Sequence, residues 1–435
     1  MRVLYVSYDG MLEPLGQSQV VNYVERLADD HKITLLSYEK PRDLAQPEAI
    51  AAMATRLRHA GIRWIRLRYH HRPRLSATAW DIVCGLVVGG MACLDDRIEL
   101  IHARSYVASV IGLTLKRRLG LKLLFDMRGF WADEKLDAGD WTARSLAYRS
   151  AKRWERRFFE EADGIVSLTR EGVRVFDSLG YVQRPDTAIE VIPTCVDVTR
   201  FSPGSKDPDL VRRLGLARRF VIGCVGTLGR RYEPEAMLSY IALLASSQPR
   251  VCALLVTQDP AEPLRQAGQR AGLADEQLVI VSAPFASMPR YLRLLDLAVI
   301  FRKQTFAKHG GLATKLGELL AVGVPVVVNE GVGDAVELIE QEGVGIVLRA
   351  LTSEAFAASL PSVQALRERV DVRGRCRQVA EQRFGLELGV ARYRRLYERL
   401  QAIGSADAAF PAGTSRRGAS FEPAAARAED GELIS

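Results

Sequence analysis

Cysteine is sparse, six in 435 residues, and Cys84, Cys93, Cys195, Cys224, Cys252 and Cys376 form no CxxC pair and no spacing with histidine that suits a metal. A disulfide scaffold and a metal site are therefore not expected, and the six read as buried thiols in a reducing compartment. No stretch has the GxGxxG spacing, which disfavours a dinucleotide-dependent oxidoreductase. No Ser/His/Asp set stands out among the six histidines, so a triad hydrolase is not indicated. The chain opens on an apolar strand, RVLYVSY, without the basic, apolar and small-residue sections of a signal peptide. A cytoplasmic location is expected. The longest apolar run, Ile82 to Leu94, falls short of the roughly twenty residues of a membrane-spanning helix and is expected to form a buried helix.

What the chain does have is length, apolar content and basic charge. With 48% apolar and 26% charged residues, it can fill two domain cores. The net charge of +8 favours anionic partners. Arg56, Arg58, Arg63, Arg66, Arg68, Arg72 and Arg74 run without an acidic residue among them, interleaved with Trp64, Tyr69, His70 and His71. A second tract, Arg144 to Arg157, carries Trp154 and is followed by Phe158 and Phe159. Both read first as solvated faces and second as contacts for an anionic membrane surface, which would place the protein peripherally at the inner face of the membrane. No nucleic acid is expected, because no DNA- or RNA-binding motif accompanies the charge.

Short apolar runs alternate with amphipathic stretches throughout, which predicts α/β architecture with parallel sheets covered by helices. Strands are predicted at Arg2–Ser7, Ile33–Ser37, Ile62–Leu67, Leu100–His102, Lys122–Asp126, Gly164–Leu168 and Ile189–Ile192, and again at Phe220–Gly226, Val251–Thr257, Leu278–Val281, Leu297–Phe301, Val324–Asn329 and Gly345–Leu348. Two doubly wound Rossmann-like domains in succession, 1–195 and 209–372, fit this better than one sheet, with a linker at 196–208. Residues 373–402 are expected as helices crossing back to the first domain, and 403–435, rich in Ala, Gly, Ser and Pro, as a disordered tail.

Thr314 to Asp334, TKLGELLAVGVPVVVNEGVGD, is the densest signal. Thr314 is expected to cap a helix bearing Lys315 and Glu318, Gly323 to follow it, and Pro325 to stop it before the strand Val326–Val328. An ammonium and a carboxylate three residues apart share one helical face near free N–H groups, an environment suited to phosphate and sugar hydroxyls. By spacing alone the pair is as simply a surface pair worth about 0.2–0.5 kcal/mol.

The segment resembles the donor-site signature of the group 1 (retaining family 4) glycosyltransferases. Other stretches are similar to the same family in the same order: the opening strand, loop and helix to Ala28, LFDMRGFWADE (Leu124 to Glu134), ADGIVSLT (Ala162 to Thr169), VIPTCVDVTRFSP (Val191 to Pro203), VGTLGRRYEPEAM (Val225 to Met237) and RYLRLLDLAVIF (Arg290 to Phe301). The resemblance covers roughly residues 1 to 402 and implies the GT-B fold, two such domains facing a cleft, with the acceptor on the first and a nucleotide sugar on the second. The chain departs from the family where a glutamate eight residues before Glu318 is common, since Gly310 stands there. It departs again where Arg and Lys are common after the first donor-domain strand, at Thr227 and Tyr232, and where a histidine often follows the fifth acceptor-domain strand, at Arg128.

On this resemblance the donor is held by Gly226, Thr227, Arg230 and Arg231 after one strand, by Gly310 and Gly311 with Lys308 and His309 nearby, and by Lys315 on the phosphates and Glu318 on the ribose diol. Gly16, in the loop after the first strand, is a candidate for close approach to a phosphate, with Ser18 as N-cap of the following helix. Asp126, Arg128 and Glu134, clustered after an apolar strand, are the catalytic candidates, Asp126 or Glu134 orienting or deprotonating the attacking hydroxyl. The expected reaction is a retaining, metal-independent glycosyl transfer that needs no cofactor. Its donor is a nucleotide diphosphate sugar, with UDP favoured and GDP second, and its acceptor a lipid-linked or envelope or capsular glycan. A non-catalytic nucleotide-sugar or anion-binding module and a UDP-GlcNAc 2-epimerase of the same architecture remain as alternatives.

Overall fold

The computed structural model describes residues 1–407 apart from 230, 249 and 332. Seven strands, β1 (Arg2–Ser7), β2 (Lys32–Glu39), β3 (Arg63–Arg68), β4 (Leu100–Arg104), β5 (Lys122–Asp126), β6 (Gly164–Ser167) and β7 (Ala188–Val191), form one parallel sheet in the order β3-β2-β1-β4-β5-β6-β7. Six more, β8 (Phe220–Val225), β9 (Val251–Val256), β10 (Leu278–Val281), β11 (Leu297–Ile300), β12 (Val326–Asn329) and β13 (Gly345–Leu348), form a second in the order β10-β9-β8-β11-β12-β13. Each predicted strand is present, with ends moved by no more than two residues. Val3, Leu4 and Val6 show why the central strands read as continuous apolar runs: neighbours on alternate faces are all buried, because helices cover both sides. In both sheets the strand order reverses beside the first strand, between β1 and β4 and between β8 and β11, which leaves a crevice at the carboxyl ends.

The carboxyl ends of the two sheets face each other. The loop after β11 reaches the first domain, where Gly310 packs against Phe130 and Gly129 and the His309 carbonyl accepts a hydrogen bond from Thr169 Oγ1 at 2.5 Å. Asp334 caps the helix Arg170–Ser178 from the other domain, accepting from the backbone N–H groups of Arg170 at 2.6 Å and Glu171 at 3.0 Å.

The return of the chain starts later than expected. The helix Val372–Val379 packs on Thr314–Ala321 within the second domain, and the crossing occurs where Val196 and Gly385 pair as a short parallel bridge. Only the last helix, Leu386–Asp407, lies on the first domain, against Asn22–Leu27 and β7. That helix runs five residues into the stretch expected to be a disordered tail; residues 408–435 lie outside the described residues.

Two further expectations are corrected. The run Ile82–Leu94 belongs to a 22-residue helix, Arg74–Asp95, whose burial covers one face only, since a helix lying flat on a sheet can press just one stripe against it. In the second basic tract Phe158 and Phe159 are fully buried and Lys152 turns inward to Asp133 and Glu155, so these two aromatics are core, while Trp154 stays half-buried.

Candidate functional site

β8 ends in Val225 and is followed by Gly226 at φ +92°, where the chain turns toward the cleft. A Cβ on Gly226 would lie 2.6 Å from Cε of Lys315, so the lysine stem lies directly over this glycine. Thr314 is the first residue of the helix Thr314–Ala321, not its cap; Ala313 takes the cap position without a side-chain bond, leaving first-turn N–H groups near Lys315 without a side-chain partner. Lys315 Nζ is 3.5 Å from Glu318 Oε2, the lysine partly open and the Glu318 side chain only 3% exposed. Glu318 Oε2 accepts no hydrogen bond from the protein. A buried carboxylate oxygen left without a donor is expensive, and a diol supplies the missing donors.

Beside this lies a cavity of about 430 Å³ walled by both domains, with Glu134 from the first and Thr227, Arg231, Tyr232, Arg302 and Leu312 from the second. Arg231 Nη2 meets Glu134 Oε2 at 2.9 Å across it. Burial raises the Glu134 carboxyl above its ordinary value, although Arg231 and Arg302 oppose the shift. Arg302 was not singled out from sequence. It sits just after β11, held by Asn329 at its N–H (2.8 Å) and by the Gly311 carbonyl at Nη1 (2.9 Å). A charged residue at the carboxyl end of an apolar strand, at the place Arg128 holds after β5, was the available signal. Arg200 was missed as well: its guanidinium lies 4.1 Å from the Phe285 ring centre, and the Glu318 charge acts on it.

On the first domain the picture differs from expectation. Asp126 is 1% exposed and sealed by the last helix. Tyr393 donates to its Oδ2 at 3.1 Å, His102 Nε2 lies 3.5 Å from the same oxygen, and Arg128 Nη1 lies 3.7 Å from Oδ1. Burial opposes its ionisation, yet Arg128, His102 and Arg104 outweigh burial and hold the Asp126 carboxyl below the usual range. Its Oδ1 is buried without a hydrogen-bond partner, and through Oδ2 Asp126 ties β5 to the returning helix. Asp133 is likewise engaged by Tyr148 and Lys152. Arg128 adopts φ +56° next to Gly129 at +124° and donates to Gln19 at 3.1 Å. Positive φ costs Gly129 nothing, but for Arg128 it is a strained conformation of the kind found at binding sites.

Two family models match the chain: "Glycosyl transferase 4-like domain" over residues 16–195 and "Glycosyl transferases group 1" over 219–364. The chain belongs to the group 1 glycosyltransferases. It is 25% identical over 297 residues to a D-inositol 3-phosphate glycosyltransferase of Segniliparus rotundus, covering 67% of this chain and 64% of that protein. It is 26% identical over 220 residues to a GDP-mannose-dependent alpha-(1-6)-phosphatidylinositol monomannoside mannosyltransferase of Mycolicibacterium smegmatis, covering 48% and 55%. The chain thus spans under two thirds of the length of these curated relatives. Its GT-B fold is shared with sucrose-phosphate synthase of Thermosynechococcus elongatus, with TM-score 0.70, 16% identity, and 92% and 99% of the two chains covered. It is shared also with Anabaena HepE in complex with UDP-glucose, with TM-score 0.64, 18% identity, and 93% and 100% covered.

In this family member three glycine candidates, Gly16, Gly310 and Gly311, serve the protein's own packing. Gly310 is buried, and a Cβ there would lie 2.8 Å from the Phe130 ring. The Gly311 N–H is bonded to the Lys308 carbonyl. Gly310 therefore packs the two domains together, while Gly311 is held by Arg302 and Lys308 of its own domain. Gly16 is required by the Gly10 carbonyl, 2.0 Å from where its Cβ would be, and is buried within a helical stretch that already begins at Pro14. Ser18, inside that stretch, donates to the Pro14 carbonyl and caps nothing. Thr227 and Arg231 face the cavity. Arg230 lies outside the described residues.

Proposed function

We propose that this family member transfers a sugar, with retention and without a metal or cofactor, from a nucleotide diphosphate sugar to a hydroxyl of a lipid-linked or envelope glycan, at the cytoplasmic face of a membrane. The carrying observation is the buried Glu318 with an unsatisfied oxygen, beside Lys315 stretched over Gly226 at a helix start. The carboxylate is placed to accept both hydroxyls of a ribose, and Lys315 and Arg231 to hold the pyrophosphate. As the bond from the sugar's anomeric carbon to the phosphate oxygen breaks, the acceptor oxygen bonds to that carbon on the same face, and its proton passes to the departing phosphate oxygen. The protein's contribution is to position the reactants and to stabilise charge on the leaving group. Loops from both domains meet over the cleft and keep water, the competing acceptor, away. A UDP-sugar is favoured, as in the HepE complex. The mannosyltransferase relative, GDP-dependent and named for a phosphatidylinositol acceptor, supports a lipid-linked acceptor and keeps GDP as the second donor.

The test is mass spectrometry of the purified protein with UDP-, GDP- and ADP-sugars and a lipid-linked glycan extract, with Glu318→Ala as control. The expected result is transfer of one sugar mass that falls more than roughly tenfold in the variant, the loss of a charged hydrogen bond. Saturable binding without transfer would favour a binding module, and turnover of UDP-GlcNAc without acceptor would favour an epimerase.

A further inference from the structure

The helix Arg74–Asp95 is long and apolar enough, by length and composition, to cross a bilayer, yet it is fixed in the first domain. Gly85 and Gly89 press it onto Tyr38, Ile111 and Leu115, and the buried Asp81 in its middle accepts hydrogen bonds from Tyr8 and His70. Its other side carries Trp80, Val83, Val87, Met91 and Leu94, each between 49% and 69% exposed. At 3.6 residues per turn these five fall within one stripe roughly 80° wide. A continuous apolar stripe on a surface helix marks an interaction face.

The charge around the stripe chooses the occupant. The helices Arg74–Asp95, Ser105–Leu119 and Leu146–Glu161 touch in that order and form one layer over the same core cluster. Five carboxylates occur on these helices, and all are buried or paired: Asp81 is buried, Glu155 is buried with Lys152, and Asp95, Glu160 and Glu161 pair with Arg63, Arg156 and Arg117. Arg118, Arg149 and Arg153 of the same layer are exposed, with no carboxylate within ion-pair distance among the described residues. The unpaired charge on these three helices is thus cationic. A second copy docking by two-fold symmetry would bring like charges together, whereas phospholipid phosphates would neutralise them.

We propose that this helical layer docks on an anionic phospholipid bilayer, with the stripe from Trp80 to Leu94 set into the boundary between headgroups and acyl chains and Arg118, Arg149 and Arg153 against lipid phosphates. The inference deepens the membrane-linked acceptor of the proposed function and rests on that reading. It locates the contact on a helix whose sequence read as core.

Flotation of the full chain with vesicles of phosphatidylcholine alone or mixed with phosphatidylglycerol tests it, with UDP binding measured on the same samples. Partition to the anionic vesicles is expected, lost at least tenfold in Val87→Asp/Met91→Asp and weakened in Arg149→Glu/Arg153→Glu, while UDP binding is unchanged. The milder Val87→Ser/Met91→Ser pair carries the same test if the aspartate pair fails to fold. Equal partition to both vesicle types, or equal partition by parent and stripe variants, would overturn the proposal. So would a dimer of the parent, seen by light scattering, that the stripe variants turn into a monomer. Absent UDP binding with flotation intact would sink the donor reading and leave the surface standing.

Discussion

Glu134 and Arg231 form an ion pair of 2.9 Å between the helix Trp131–Asp137 of the first domain and the turn after β8 of the second. The guanidinium best placed for a pyrophosphate is thus engaged by the facing domain, and a nucleotide sugar must compete for it. Arg231→Ala is expected to weaken UDP binding about tenfold, the loss of one charged hydrogen bond. Glu134→Gln, which frees the guanidinium, is expected to tighten it a few-fold. Calorimetric titration checks both, and an Arg231→Ala protein that binds UDP like the parent would remove Arg231 from the site.

Gly226 and Lys315 should behave as one unit. Gly226→Ala places a methyl 2.6 Å from Lys315 Cε on a backbone at φ +92°. The left-handed backbone should cost about 1–2 kcal/mol of stability, and the flexible lysine tip moves aside. UDP affinity should then fall about as far as in Lys315→Ala, and the double variant should be no worse than either single one. Additive losses in that cycle would show that the two act separately.

Asp334 holds the domains together by capping the helix Arg170–Ser178 across the interface. Asp334→Ala is expected to cost about 1 kcal/mol, as other lost caps do, and to loosen closure. Small-angle scattering of the nucleotide-free protein should show a larger radius of gyration for the variant. An unchanged radius would mean that the other contacts, Thr169 with His309, Gly310 with Phe130 and Glu134 with Arg231, keep the domains closed without it.

His102 gives stability a sign with pH. Burial lowers its pKa, against the raising effect of Asp126, so the folded state keeps the ring neutral where the unfolded chain takes up a proton. Below the ordinary value of about 6.5 the unfolded state binds more protons, and stability falls as pH falls. His31, also lowered chiefly by burial, adds in the same direction. Urea unfolding between pH 7.5 and 5.5 should therefore show a loss that is smaller in His102→Asn, although that variant is less stable throughout. Equal slopes in parent and variant would mean that His102 has the same pKa in the folded and unfolded chain. Asp126, held low, contributes at more acid pH, where its stabilisation is lost as pH falls through the folded value.

The donor half of the site was more legible than the acceptor half, for a local reason. Lys315 and Glu318 share one helical turn, and Gly226 and Arg231 one strand-to-helix loop, so spacing along the chain stated their proximity. Asp126 follows the same rule of position at a strand end, yet its role was set by Tyr393, 267 residues away, which no local pattern announces. Gly310 looked like an opening for a ligand and proved to be a contact, because what fills the space beside it is Phe130 of the other domain.

By itself the sequence determined the alternation of strands and helices, the two parallel sheets and the family, since each follows from apolar periodicity and short motifs read within a few turns of chain. Only the tertiary structure decided which charged groups are free, which glycines are filled, and that the apolar run Ile82–Leu94 shows one face outward. The physical reason is that burial is a property of neighbours. A residue's chemistry is written in the chain, and its access to solvent is written in what packs against it.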